Sequence, residues 1–417
     1  MPYGREPDTE GYESCDIRES RPVMRSAAVS LLVIVTLSCF SFGCSSVSRL
    51  AAVPEDQTSA ATIYGINNAR YVLDQGRPAE LVAEFRRSNE RELAAARNRS
   101  VKPANYLSIS GGSDNGAFGA GLLVGWSERG DRPTFKAVTG VSTGALTAPF
   151  AFLGSGYDPA LQELYTNIDA QDVFSRRATI VALAGDSMAD SAPLFGLISK
   201  YLDDQMVERI AAEYRSGRLL FVGTTNLDAA KPVIWNIGAI AASGHPKAKE
   251  LIARILLASA SVPGLFPPVM FDVKVGEATF QELHGDGGAS AQAFLYPPSV
   301  TLASVVSSVN NRKRTAYIIR NGRLDVEWKQ VDPRTLTLAQ RAVSTLITSS
   351  GIGDMYRIFA TARRDGVNYR LALIESDFTE SSATPFDRAY MTSLFEHARA
   401  KARAGFPWRS TPPGFAQ

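Results

Sequence analysis

Phe135-Lys-Ala-Val-Thr139 runs into Gly140-Val141-Ser142-Thr143-Gly144 and on into Ala145-Leu-Thr-Ala148: a short apolar strand, a G-x-S-x-G turn, then a helix-like stretch. The spacing has a physical cause. A nucleophilic serine on a sharp strand-to-helix turn needs a strained backbone, and a residue without Cβ on either side lets strand and helix close around it. The first N–H groups of the following helix also point toward the site. Its place between a strand and a helix gives the pattern its weight, because the motif alone is common.

The same alternation recurs on both sides. Upstream, Tyr106–Ser110 reads as a strand, Gly111–Gly116 as a turn and Ala117–Trp126 as a helix. Downstream come strands over Leu219–Thr224, Val233–Ile237, Phe271–Val275 and Tyr317–Arg320, with a helix over Lys247–Ala260. Beyond residue 300, Thr335–Tyr356 and Asp387–Gly405 read as helices and Asn368–Ile374 as a strand. This predicts an α/β fold, a mostly parallel sheet with helices on both faces and an active site at the carboxyl ends of the strands.

Two further loops carry candidate chemistry. Gly111-Gly112-Ser113-Asp114-Asn115-Gly116 follows a strand and opens a helix, yet lacks the Lys-Ser/Thr of a P-loop and has no G-x-G-x-x-G in register. Successive backbone N–H groups at such a helix start can instead converge on an oxyanion. His284-Gly285-Asp286-Gly287-Gly288 places a carboxylate in a glycine-rich turn far downstream of Ser142. Taken alone, such an aspartate reads as structural.

Taken together and in this order, the three loops resemble the signatures of the patatin-like phospholipases. Gly223-Thr-Thr-Asn-Leu-Asp228, Pro232-Val-Ile-Trp-Asn236 and Ala258–Pro268 are similar to further segments of that family, and the resemblance covers about residues 105–300. It implies a three-layer α/β/α fold and hydrolysis of membrane-lipid or other acyl esters. It further implies Ser142 as nucleophile, Asp286 as general base and Gly111–Gly116 as oxyanion hole, chiefly through N–H groups around Gly112, Ser113 and Gly116. Gly140, Gly144, Gly287 and Gly288 frame the pair, and no histidine, metal or cofactor is required. Many relatives carry G-G-G-x-R/K-G; here Ser113 replaces the third glycine and Asn115 the cation, which weakens the expectation of phosphate binding more than that of ester hydrolysis. One rival makes His284 the third member of a Ser-His-Asp esterase. Another is a lipid-anchored, non-enzymatic protein with a vestigial site.

Composition agrees with a globular chain. Among 417 residues, Lys+Arg number 44 against Asp+Glu 42, with three His and three Cys. That excludes a polybasic nucleic-acid binder and a disulfide scaffold, and disfavours multi-ligand zinc or iron–sulfur chemistry. No acidic loop of the EF-hand kind is present, and the sequence indicates no oligomeric state. Ser26–Ser48 carries no charge and follows Arg21 and Arg25, the pattern of an export signal, with Met24 as an alternative start. Gly43-Cys44-Ser45-Ser46 resembles a bacterial lipoprotein cleavage box, although Ser41 and Phe42 depart from it. The expected organisation is therefore a signal over 1–44 with lipidation at Cys44, a helical arm over 45–104, a catalytic domain over 105–300 and an α/β extension over 301–417. The expected location is the outer membrane or periplasmic face of a bacterium. Asp387–Gly405 reads as a helix packed on the catalytic domain rather than one lying on a membrane.

Overall fold

The computed structural model describes residues 49–73, 79–97, 102–176, 187, 189–305, 312–323, 330–382 and 384–415. The export signal and Cys44 lie outside the described residues. Eleven strands occur among those described: β1 (Arg70–Val72), β2 (Ala104–Ile109), β3 (Ala137–Val141), β4 (Ser175–Arg176), β5 (Ala189–Asp190), β6 (Leu219–Asn226), β7 (Lys231–Asn236), β8 (Val269–Val275), β9 (Ala278–Asp286), β10 (Arg314–Arg320) and β11 (Asn368–Leu373). Nine form one sheet in the order β1-β7-β6-β3-β2-β10-β11, with β9 pairing β6 and β8 pairing β9. The run β6-β3-β2-β10-β11 is parallel, as the alternation predicts. Antiparallel pairing is confined to one side, at β1–β7–β6 and β6–β9–β8. Central parallel strands are covered on both faces and read as near-continuous apolar runs. All eight residues of β6 are buried accordingly.

Seven helices bear on the site: α1 (Ala79–Ala96), α2 (Gly116–Arg129), α3 (Thr143–Leu153), α4 (Asp158–Thr166), α5 (Ala248–Ser259), α6 (Thr335–Arg364) and α7 (Arg388–Gly405). The α7 helix buries Met391, Leu394, Phe395, Ala398 and Ala402. It lies on α2 at backbone contact distance, because a Cβ on Gly121 would run into the Phe395 carbonyl and one on Gly125 into that of Arg399. A methyl group there must push two backbones apart. Gly121→Ala is therefore expected to cost about 2–3 kcal/mol, read as a lower denaturant midpoint at unchanged slope.

The sheet crosses both boundaries expected from the sequence pattern and the resemblance. Part of the 45–104 segment is a strand, with Arg70, Tyr71 and Val72 paired to Trp235, Ile234 and Val233. Helix α1 reads as solvated because its charges alternate, yet it buries Leu81, Glu84 and Ser88. The polar ones are satisfied: Glu84 by Arg87 and Arg91, and Ser88 by donating to the Gly217 carbonyl at 2.6 Å. Beyond residue 300, β10 inserts between β2 and β11 and so belongs to the same sheet.

Candidate active site

Ser142 joins β3 to α3 with φ 55° and ψ −127°, a region that residues with a side chain rarely occupy. The neighbouring glycines are needed for closeness. A Cβ on Gly140 would run into the Gly144 carbonyl, and one on Gly144 would stand 2.6 Å from the Ser110 carbonyl and nearer still to that of Ile109. Gly144→Ala is expected to destabilise the fold by about 3 kcal/mol and to displace the serine, read by melting and by ester turnover together. The Ser142 N–H donates to Ser259 Oγ at 3.0 Å, and that hydroxyl donates to the Gly223 carbonyl at 2.7 Å. The end of α5 thus holds the elbow.

Asp286 ends β9, opposite Thr224 of β6. Its N–H donates to the Ser261 carbonyl at 2.8 Å and its carbonyl accepts from Thr225 Oγ1 at 2.9 Å. Oδ1 accepts the Gly288 N–H at 2.6 Å, whereas the buried Oδ2 has no hydrogen bond of ordinary geometry among the described residues. Burial pushes the carboxyl up to about 6, against the opposing pull of the Ser142 hydroxyl and the Gly288 N–H. The serine is thus near enough to act on the carboxylate without a tight bond to it, a looseness common before substrate arrives. The D-G-G turn needs both glycines: a Cβ on Gly287 would run into the Gly223 carbonyl, and one on Gly288 would stand 2.8 Å from Asp286 Oδ1.

The Gly111–Gly116 turn borders the serine, since a Cβ on Gly111 would stand 3.2 Å from Ser142 Cβ. Several of its N–H groups are already used. Gly111 donates to the Gln292 carbonyl and Asn115 to that of Gly112, both at 3.0 Å. Gly116 turns back to the Ser113 and Asp114 carbonyls. Gly112, Ser113 and Asp114 make no such bond among the described residues, which narrows six candidate donors to three. Asp114 and Asn115 act outward. Asp114 Oδ2 accepts the Phe386 N–H at 3.2 Å, and Asn115 Oδ1 accepts the Tyr390 hydroxyl at 2.6 Å.

Sequence reading missed Asn321. It follows β10, and the parallel register Ile319↔Ile109 brings it beside Ser110. Its N–H donates to Ser110 Oγ and its Nδ2 to the Ser110 carbonyl, both at 2.9 Å, and its Oδ1 accepts the Gly119 N–H at 3.0 Å. Its carbonyl lies where a Gly112 Cβ would be. One side chain therefore clamps both ends of the turn. Asn321→Ala is expected to lower kcat about 10–100-fold with KM nearly unchanged, measured on a soluble ester. The sole signal in the sequence is a polar residue straight after an apolar strand.

His284 is buried between Trp235 and Phe271. Its Nδ1 meets Thr224 Oγ1 at 2.9 Å and its Nε2 meets Glu282 Oε2 at 3.1 Å, so both ring nitrogens are engaged away from Ser142. Burial lowers its pKa. Glu282 also pairs with the buried Arg70. Burial would raise this carboxylate, but the His284 and Arg70 hydrogen bonds together bring it down to about 2. His245 stacks on Tyr64 and His397 lies against Phe378. Among the described residues no group of three or more His, Cys, Asp or Glu could hold a metal, and no helix is long and apolar enough to cross a membrane.

Residues 107–296 match the family model described as patatin-like phospholipase. This stretch is a patatin-like phospholipase domain. The patatin-like domain contains the Gly111–Gly116 turn, Ser142 and Asp286. No curated protein matches the chain. Among solved structures, VipD from Legionella pneumophila is similar at 12% identity and a TM-score of 0.34, over 73% of this chain and 67% of VipD. The type III effector ExoU is similar at 12% identity and a TM-score of 0.27, over 73% of this chain and 53% of its own. ExoU from Pseudomonas aeruginosa in complex with SpcU gives a TM-score of 0.27, again at 12% identity, over 73% of this chain and 52% of that one. The chain thus spans about two thirds of VipD and about half of ExoU. Asn321, Phe386 and Tyr390, which hold the Gly111–Gly116 turn, lie beyond the matched stretch of the patatin-like domain.

Proposed function

We propose that the protein hydrolyses lipid acyl esters through a Ser142/Asp286 dyad and an acyl-enzyme. The observation that carries this reading is the buried Asp286 carboxylate, one oxygen unpartnered, beside the hydroxyl of a serine in a strained elbow. Asp286 takes the hydroxyl proton as Ser142 Oγ attacks the ester carbonyl. The negative oxygen then faces the N–H groups of Gly112 and Ser113. On collapse the proton returns from Asp286 to the leaving alcohol, and the acyl group stays on Ser142. A water that gives its proton to Asp286 next attacks the acyl-serine; the proton passes back to Ser142 Oγ and the carboxylic acid departs.

A carboxyl near 6 suits both directions of this transfer, being mostly ionised at neutral pH yet more basic than an ordinary aspartate. Turnover is expected to fall about tenfold per pH unit below 6, read from kcat/KM against pH. The assignment is tested by reaction with a fluorophosphonate and mass mapping of the labelled peptide: the adduct belongs on Ser142, and an adduct elsewhere or none would overturn it. Export and anchoring through a lipidated Cys44 belong to the same proposal. They are tested by incorporation of a labelled fatty acid into the wild-type chain and into Cys44→Ser.

A further inference from the structure

We propose that the exposed first half of α6, Thr335–Ser350, is the surface on which the protein settles against a lipid bilayer. This rests on the acyl-lipid reading of the site and adds how that site meets its substrate. The large apolar side chains exposed among the described residues are Leu50, Leu93, Leu338, Val343, Leu346 and Phe415, and half of them fall within a few turns of this one helix. Leu346 is 69% exposed, more than any of the others. Leu338, Ala342 and Leu346 follow at four-residue spacing, with Val343 alongside, so they share one side of the helix. From Thr335 to Gly353 the single charged residue is Arg341.

The position of this stretch names its occupant. From Gly351 onward the same helix becomes buried. Asp354 accepts the N–H groups of Gln292 and Ala293 at 2.6 and 3.2 Å, and the Gln292 amide donates to the Gly288 carbonyl at 3.2 Å beside Gly111. The apolar side is therefore a rigid continuation of the wall that carries the D-G-G turn, with Leu346 about 8 Å along the axis from Gly351 at 1.5 Å per residue. A water-soluble partner has no need to lie there, whereas a lipid ester must arrive from a bilayer at that wall. The three large side chains offer on the order of a few hundred Å², short of the roughly 800 Å² a side that a stable dimer buries. A bilayer sets no such minimum, since each inserted side chain adds its own partition.

The test compares two full-length proteins, Cys44→Ser and Cys44→Ser carrying Leu338→Asp and Leu346→Asp, so that no acyl anchor masks the result. Flotation with phosphatidylethanolamine/phosphatidylglycerol vesicles, hydrolysis of those vesicles and hydrolysis of a soluble short-chain nitrophenyl ester are measured in parallel. The charged variant is expected to keep the soluble activity within twofold and to lose vesicle flotation and vesicle hydrolysis at least tenfold. Undiminished flotation, an equal loss on both esters, or a dimer of the parent protein that the variant breaks would each overturn the proposal. A parent that floats but cleaves neither ester would sink the hydrolase reading and leave the docking surface standing.

Discussion

Asp286→Asn is expected to lower kcat/KM about 10²–10⁴-fold and, at pH 8, to make the protein more stable than the wild type. Both effects come from one buried carboxylate. Its folded pKa of about 6 lies above the ordinary 3.8. Below about pH 4 the group is protonated whether the chain is folded or not, and it costs nothing. As pH rises through that interval the unfolded chain ionises first, so the folded state loses ground, and the loss is complete above pH 6. A shift of roughly two units corresponds to about 3 kcal/mol against folding at pH 8. Asparagine has no charge to desolvate, and its Oδ1 can still accept the Gly288 N–H that Asp286 accepts now. Denaturant midpoints of both proteins at pH 5 and pH 8 check this: the gap should open with pH in favour of the variant. Equal midpoints at pH 8 would mean that the carboxylate is not desolvated.

Replacing Ser142, the proposed nucleophile, brings a second pair of coupled effects. Ser142→Ala and Ser142→Gly should each reduce ester turnover about 10⁴-fold or more and abolish fluorophosphonate labelling. Their stabilities should differ in an unusual direction. At an ordinary position glycine is the less stable choice by roughly 0.5–1 kcal/mol, because it has more freedom to lose. At φ 55° and ψ −127° a side chain costs of order 1–3 kcal/mol of backbone strain, which alanine keeps and glycine releases. The glycine variant is therefore expected to be the more stable of the two by about 1 kcal/mol, measured by urea unfolding. The reverse order would show that the elbow is not strained.

What could be read in the sequence follows from the range of the forces. The elbow, the turn before α2 and the D-G-G turn each need glycine because backbone passes close by, and that demand leaves a short local motif. β1 and β9 left no such trace. Arg70, Glu282 and His284 are polar and fall where a buried strand would show apolar residues, and only their mutual pairing makes them core residues. The same holds for Glu84 in α1, whose partners Arg87 and Arg91 make an alternating-charge helix look solvated. Within the turn at Gly111–Gly116 the motif could not say which N–H groups remain free. For Gly111 that depends on the carbonyl of Gln292, and the set of the turn's side chains depends on Phe386 and Tyr390, all residues far along the chain. Asn321 is invisible for the same reason: its three hydrogen bonds go to Ser110, just after β2, and to Gly119 in α2, neither near it in sequence.

The bracing of that turn by Phe386 and Tyr390 also sets an order in time. A chain emerges from its N-terminus, so Ser142 and Asp286 are both made well before the residues that brace the Gly111–Gly116 turn. Until Tyr390 reaches Asn115 and α7 closes over α2, Ser142 and Asp286 lie beside a turn that lacks its outer braces. On the proposed mechanism, a chain that ends before Tyr390 would carry the serine and the carboxylate without a braced turn, and the final helix would complete the site.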